Sequence, residues 1–308
     1  MAEDSGSPGA VESADRKLTG PPSGFLFGAN LPWFDYGLDF GSNAWRPGGG
    51  VGRSDARERV ESELARLAES GVQAVRWFLF CDGRAGVSFD SQGQPTGLDD
   101  FVLRDLDTAL ELAARAQLRV MFVLLDFHWC RPVRMIDGVQ LGGRAGILKD
   151  PASSGRLLEQ VLRPVVARYA REESILAWDL FNEPEWAKRD VPKRFLREAI
   201  QMIRSCSSRP VTIGSAGARW RRRYRTLDLD FDQVHWYDSL KWQPPLETPV
   251  TALGFARPVW LGEFPTRGSE RGWREIVETA RQAGYAGAFY WSALAEDASS
   301  DPSAIAPE

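Results

Sequence analysis

The sequence predicts a (β/α)8 TIM barrel, and three observations predict it. Short apolar runs recur eight times between Phe25 and Leu294. Most of these runs are continuous rather than alternating, which is the pattern of parallel strands covered on their outer face by helices. Helical periodicity appears between several of them, and 308 residues suit one such barrel. A doubly wound open sheet is the alternative. Against it, no GxGxxG follows the first run, and the "GGGVG" at 48–52 falls in a loop.

The elements follow in order. Residues 1–23 are rich in acids, Ser, Gly and Pro and have no apolar core, so we read them as a flexible tail before a barrel over 24–308. "FLFGAN" at 25–30 is the first strand, broken by Gly28. A helix follows with Val60, Leu64, Leu67 and Ala68 on one face, Ser54 as its expected cap and Gly71 as its stop. "VQAVRWFLF" at 72–80 is β-branched and aromatic, hence a strand. Leu103, Leu106, Leu110 and Ala113 mark a second helix within 98–116. The third and fourth strands are "RVMFVLLDF" and "ILAWDLF", with a helix at 157–169 between them. A helix at 195–203 precedes "PVTIGS", and a basic segment of irregular pattern precedes "FDQVHWY". "PVWLGEF", a helix at 273–283 and "YAGAFYWSAL" complete the set. About a dozen residues follow Ser292, too few for a full eighth helix.

In such a barrel the carboxyl ends of the strands build the site. The polar residues there are Asn30 and Trp33 after strand one, and Arg76 in strand two. Strand three ends in Asp126, His128 and Trp129, and strand four in Asn182 and Glu183. His235 and Tyr237 end strand six, Glu263 ends strand seven and Trp291 ends strand eight. The chain's only two histidines are both in this set. Charge inside a buried strand is costly unless paired, which couples Arg76 to Glu263.

Two carboxylates at one barrel end suggest glycoside hydrolysis, with one carboxyl protonated and the other ionised. Arg76 and a hydrogen bond from Tyr237 would keep Glu263 ionised, leaving Glu183 as the acid. Pro184 stops the fourth strand because it cannot donate a ladder hydrogen bond. Asn182, one step earlier, is placed to hydrogen-bond a sugar hydroxyl.

On these residues the chain resembles clan A glycoside hydrolases, and most of all family 5, the cellulase and mannanase family. The resemblance runs from about Phe25 to Leu294. It implies that Glu183, in the motif Asn182-Glu183-Pro184, is the acid/base and that Glu263 in "WLGEF" is the nucleophile. It matches Arg76, His128, the pair His235 and Tyr237, and Trp291 to the family's strand-two Arg, strand-three His, His-x-Tyr and sugar-lining Trp. The implied reaction is cleavage of β-glucan, β-mannan or a related oligosaccharide with retention, through a covalent glycosyl-enzyme. A transglycosylase on the same site and a non-catalytic carbohydrate-binding barrel are the alternatives.

Each residue also has a structural reading. Glu183 could be a charge at a helix start, and Arg76 an ion-pair partner alone. His128 and His235 could be satisfied buried rings. Asp126 reads as a structural hydrogen-bonding residue. Trp33, Trp45, Trp129, Trp186 and Trp242 are candidate sugar platforms or packing, with Trp33 taken as a substrate contact. No HExxH or tight ligand spacing marks a metal site, and two carboxyls supply all the proton transfer, so no cofactor is expected.

Net charge is -4, which argues against a nucleic-acid binder. The run "RWRRRYR" at 219–225 reads as a solvated, ion-paired face. The expected partner is an oligo- or polysaccharide, with no nucleic acid and no membrane, and the expected state is a monomer. Cys81, Cys130 and Cys206 read as free thiols, or as a Cys81–Cys130 pair with one left over, since those two each follow a strand. No signal is visible, so the chain as written is expected in the cytoplasm, or outside the cell if a leader once preceded it.

Overall fold

The computed structural model describes residues 24–187 and 189–307, so the expected tail at 1–23 lies outside the described residues. Eight parallel strands close into a barrel. They are β1 (Leu26–Asn30), β2 (Ala74–Phe78), β3 (Arg119–Asp126), β4 (Ile175–Asn182), β5 (Val211–Ser215), β6 (Asp232–His235), β7 (Val259–Pro265) and β8 (Gly287–Trp291). Each neighbours its sequence neighbours, and β8 pairs back onto β1. The fold is the (β/α)8 barrel that the sequence predicts.

Register places the polar strand ends level with one another. Asn30 faces Arg76, Asp126 faces Asn182, and His235 faces Glu263. Irregular register in β4 between Asp179 and Asn182, and in β6 between Val234 and His235, re-aims those ends. The opposite end of the barrel is plugged by apolar side chains. Phe231 stacks on Trp260 at 4.7 Å, and Trp260 on Phe289 at 5.8 Å. Each such ring contributes about 1.5–3 kcal/mol on full burial. The polar mouth therefore rests on a dry floor.

Helices cover the outside. Ala56, Val60, Leu64 and Leu67 of α1 (Ser54–Glu69) are its buried stripe. Ser54 is the first helical residue rather than the cap; Arg53 holds the cap position without a side-chain bond. The helix α2 (Val102–Arg115) starts later than expected, because Asp99 accepts from the Phe101 and Val102 amides and an antiparallel hairpin takes the residues before it. That hairpin, Val87–Phe89 with Pro95–Leu98, is a feature the sequence reading lacks.

The helix expected at 157–169 is part of a longer broken run. Ala145–Lys149 and Pro151–Arg156 precede a π-helical turn, Leu157–Leu162, and then Arg163–Arg168. No helix follows β8 among the described residues. Instead the chain folds back toward the mouth, where Thr266 N donates to Ser299 O at 2.9 Å. Among the described residues no helix is long and apolar enough to cross a membrane.

Two further expectations are corrected. Cys81 and Cys130 do not pair, and all three cysteines are free. Cys81 packs with Phe78 and Val123 inside the mouth, whereas Cys130 packs against the outer core. The basic run is not ion-paired among the described residues. Arg219 stacks on Trp242 at 3.9 Å, and Arg223 donates to the Val191 carbonyl at 2.8 Å.

Candidate active site

β4 is buried along its whole length. At its end Glu183 takes φ = 43°, a left-handed conformation rare for a residue with a side chain. Two hydrogen bonds hold it there. Glu183 N donates to Gly214 O at 2.7 Å, and Trp186 N donates to Glu183 O at 3.0 Å. The turn swings the carboxyl into the mouth, where its Oε1 lies 2.8 Å from His235 Nδ1.

Glu263, on β7, is fixed from two sides. Arg76 Nη1 donates to its Oε1 at 2.8 Å, and Tyr237 OH donates to its Oε2 at 2.8 Å. His235 Nδ1 lies 3.3 Å from the same Oε2. A polar atom from each of Glu183, His235 and Glu263 lies within 4.8 Å of the others. Such a trio has the makings of a cation site. Here the Arg76 guanidinium already supplies positive charge at Glu263, and a metal would sit against it.

Arg76 is the hub. Its Nε donates to Asp179 at 2.9 Å, Nη1 also reaches Asn30 Oδ1 at 2.9 Å, and Nη2 reaches Asn182 Oδ1 at 2.8 Å. Asn182 Nδ2 then donates to Asp126 at 2.7 Å. Asp126 accepts from the His128 amide at 2.8 Å and contacts its ring Nδ1. One network thus ties β1, β2, β3, β4 and β7 together.

These surroundings separate the two carboxyls. Burial, then the nearby charges of Glu185 and Asp126, push Glu183 up to about 8, with Arg76 offsetting part of the rise. Burial also raises Glu263, but His235, Arg76 and the Tyr237 hydroxyl pull it back. The cation and the hydroxyl donor thus touch Glu263 and not Glu183. Burial lowers His235 to about 4, so its ring is neutral near pH 7, and its Nδ1 faces both carboxyls. Burial alone would lower His128 too, but its contact with Asp126 holds it above its ordinary value. The site thus sets Glu183 in surroundings that favour its protonated form and gives Glu263 a cation and a hydroxyl donor.

Trp33, His128, Asn182, Glu183, Tyr237, Glu263 and Trp291 all line one cleft of about 420 Å3. Arg76 and His235, expected as substrate contacts, do not. Both have no exposed surface and sit beneath the cleft floor, where their polar atoms face other protein groups. Among the candidate platforms, Trp186 lines the cleft and is 43% exposed. Trp129 is fully buried, with its indole N–H on the Phe80 carbonyl, because the 3-10 turn after β3 folds it back into the core. Trp45 and Trp242 lie outside this cleft, near Arg84 and Arg219.

The sequence reading missed Asp179, Glu185, Tyr36 and Asp297. Asp179 had a signal, since a charge in the middle of an apolar strand demands a buried partner. Tyr36 lines the cleft and meets Trp33 edge-on at 4.6 Å. Asp297 comes from the returning C-terminal segment and accepts the Trp291 indole N–H at 2.9 Å.

No protein-family model matches the chain. A mannan endo-1,4-beta-mannosidase of Mytilus edulis is 24% identical, over 87% of this chain and 83% of that protein. Among solved structures, an endo-1,4-beta-mannanase of Eisenia fetida superposes with a TM-score of 0.76 at 22% identity, covering 90% of this chain and 87% of that one. A glycoside hydrolase family 5 mannosidase of Rhizomucor miehei gives 0.58 at 15% identity, covering 87% and 81%. The chain is similar to clan A glycoside hydrolases of the family 5 kind, and it is an enzyme of the glycosidase class. More particularly, it is a hydrolase of β-glycosidic bonds.

Proposed function

We propose that the chain is a β-1,4-mannan hydrolase that cuts within the polymer and retains anomeric configuration. The carrying observation is the carboxyl gap. Retention needs the two groups about 5–5.5 Å apart, and inversion about 6.5–9.5 Å. Polar atoms of Glu183 and Glu263 lie within 4.8 Å. The mannan reading is supported by the names of the relatives.

In this reading Glu263 attacks the anomeric carbon while Glu183 gives its proton to the leaving oxygen. Arg76 and Tyr237 hold Glu263 ionised and oriented, which fixes the attack geometry. Glu183, now a carboxylate, takes a proton from water, and that water displaces Glu263 from the sugar. Trp291, pinned by Asp297, and Trp33 give the sugar flat faces, and the second N–H of Asn182 Nδ2 is placed for a sugar hydroxyl.

The test is to digest β-mannan, β-glucan and xylan and to read the first-formed anomer by NMR. Short mannooligosaccharides appearing first as the β-anomer support the proposal. A first-formed α-anomer overturns retention, and release from glucan alone overturns the substrate.

A further inference from the structure

We propose that Glu185 is a positioning residue: its buried carboxyl anchors the turn bearing Glu183 and acts through its field on that acid. The inference rests on the acid role proposed above for Glu183, and it goes beyond it by naming what holds that acid in place and in charge state.

Glu185 lies two residues past Glu183, across Pro184, and is only 7% exposed. A carboxyl so enclosed normally has a cation beside it. Among the described residues Glu185 has no ion pair. Its partners among those residues are all neutral. Tyr224 OH donates to Oε1 at 2.6 Å, Ser215 Oγ to the same oxygen at 2.8 Å, and the Ala216 amide to Oε2 at 3.2 Å. Three neutral donors aimed at one carboxyl satisfy its oxygens and bring no positive charge to it. The field of the carboxyl is left to act on its nearest titratable neighbour.

The same contacts have a mechanical effect. Ser215 and Ala216 follow directly from the Gly214 that takes the Glu183 amide. Glu185 thus ties the turn bearing the left-handed Glu183 to the end of β5. The other groups that face Glu183 come from four strands. Arg76 on β2 favours its ionised form, Asp126 on β3 and Glu263 on β7 oppose it, and on the β6 side neutral His235 touches it with Tyr237 close by. Burial is the largest influence on Glu183, and Glu185 is the largest single charge acting to keep it protonated.

The experiment compares wild type with Glu185→Gln and Tyr224→Phe. The first replaces the carboxyl with little change of shape, and the second removes one donor to it. Glu183 is titrated directly by NMR of protein carrying 13C at the glutamate side-chain carboxyl, with Glu183→Gln to assign the signal. Turnover is followed in parallel across pH. We expect the Glu183 titration to fall by about one pH unit or more in Glu185→Gln, and by less in Tyr224→Phe. The alkaline limb of kcat/KM should fall with it, while activity at its optimum stays within about tenfold.

Should Glu185→Gln not fold, Tyr224→Phe carries the test alone. A Glu183 titration that stays in place while activity drops at every pH would overturn the inference and leave Glu185 as an anchor only. If the chain turns over no glycoside, the proposed function fails, yet the carboxyl titration still decides the role of Glu185.

Discussion

Arg76 Nη1 lies 2.8 Å from Glu263 Oε1, with the arginine fully buried and the carboxyl reaching the cleft above it. The guanidinium also binds Asp179, Asn30 and Asn182. A planar fork with five donors can meet four acceptors held at fixed angles, and a lysine ammonium cannot. The pair is therefore a geometric device as much as an electrostatic one. It fixes where the Glu263 carboxylate points before any ligand arrives.

Replacing Arg76 by Met should leave Asp179 and Glu263 buried without their cation. We expect a loss of about 3–5 kcal/mol in unfolding free energy, measured by urea melts. Arg76→Lys keeps the charge but not the fork, so it should lose less stability and still lower kcat by about a hundredfold or more. Equal stability of Arg76→Met and wild type would mean that the two acids share a proton instead.

Stability should depend on pH in a specific way. An unfolded glutamate titrates near its ordinary 4.5, but folded Glu183 does so at about 8. The folded protein holds a proton that the unfolded chain has lost, so this contribution falls as pH rises from 4.5 to 8. His235 acts oppositely. Its folded value of about 4 lies below its ordinary 6.5, so its contribution rises between those values. The two slopes oppose each other below 6.5, and above it Glu183 and the raised His128 both make stability fall. Urea melts from pH 4 to 9 should show Glu183→Gln losing much of the alkaline fall while keeping the rise toward neutrality.

The strand ends were legible in the sequence because parallel barrel strands are apolar throughout, so a polar residue at the end stands out. Asn182 and Glu183 after "ILAWDLF" show this most plainly. What the sequence does not display is closure. Arg76 meets groups from β1, β4 and β7 only because eight tilted strands return to their start. Its burial beneath the cleft, and that of His235, depends on this and on two irregular registers. Trp129 misled because a 3-10 turn reverses the side of the chain within one residue of His128. Glu185 was hidden because its donors, Ser215, Ala216 and Tyr224, lie on distant segments.

Tyr237 gives a sharper handle on Glu263 than Arg76 does. Its hydroxyl donates to Oε2 at 2.8 Å, a bond to the ionised form. A hydrogen bond to a charged group is worth about 1.5–3 kcal/mol. Tyr237→Phe should therefore lower kcat by about ten- to a hundredfold. It also removes one of the influences that pull Glu263 down, so Glu263 should titrate higher and the acid limb of the pH–rate profile should move to higher pH. An acid limb that stays in place would assign that limb to another group.

The unequal roles proposed for the two carboxyls separate by leaving group. A protonated Glu183 matters to the first step only when the departing oxygen needs a proton. With dinitrophenyl β-mannoside the leaving group departs unaided, so Glu183→Ala should form the glycosyl-enzyme at near wild-type rate and then stall, since nothing activates water. A burst of dinitrophenol followed by slow turnover is the expected trace, and azide should speed the slow phase and yield β-mannosyl azide. Glu263→Ala should give no burst with the same substrate, because no protein carboxylate remains to attack, and any azide product it forms should carry the α configuration. A burst from the Glu263 variant and none from the Glu183 variant would reverse the two assignments.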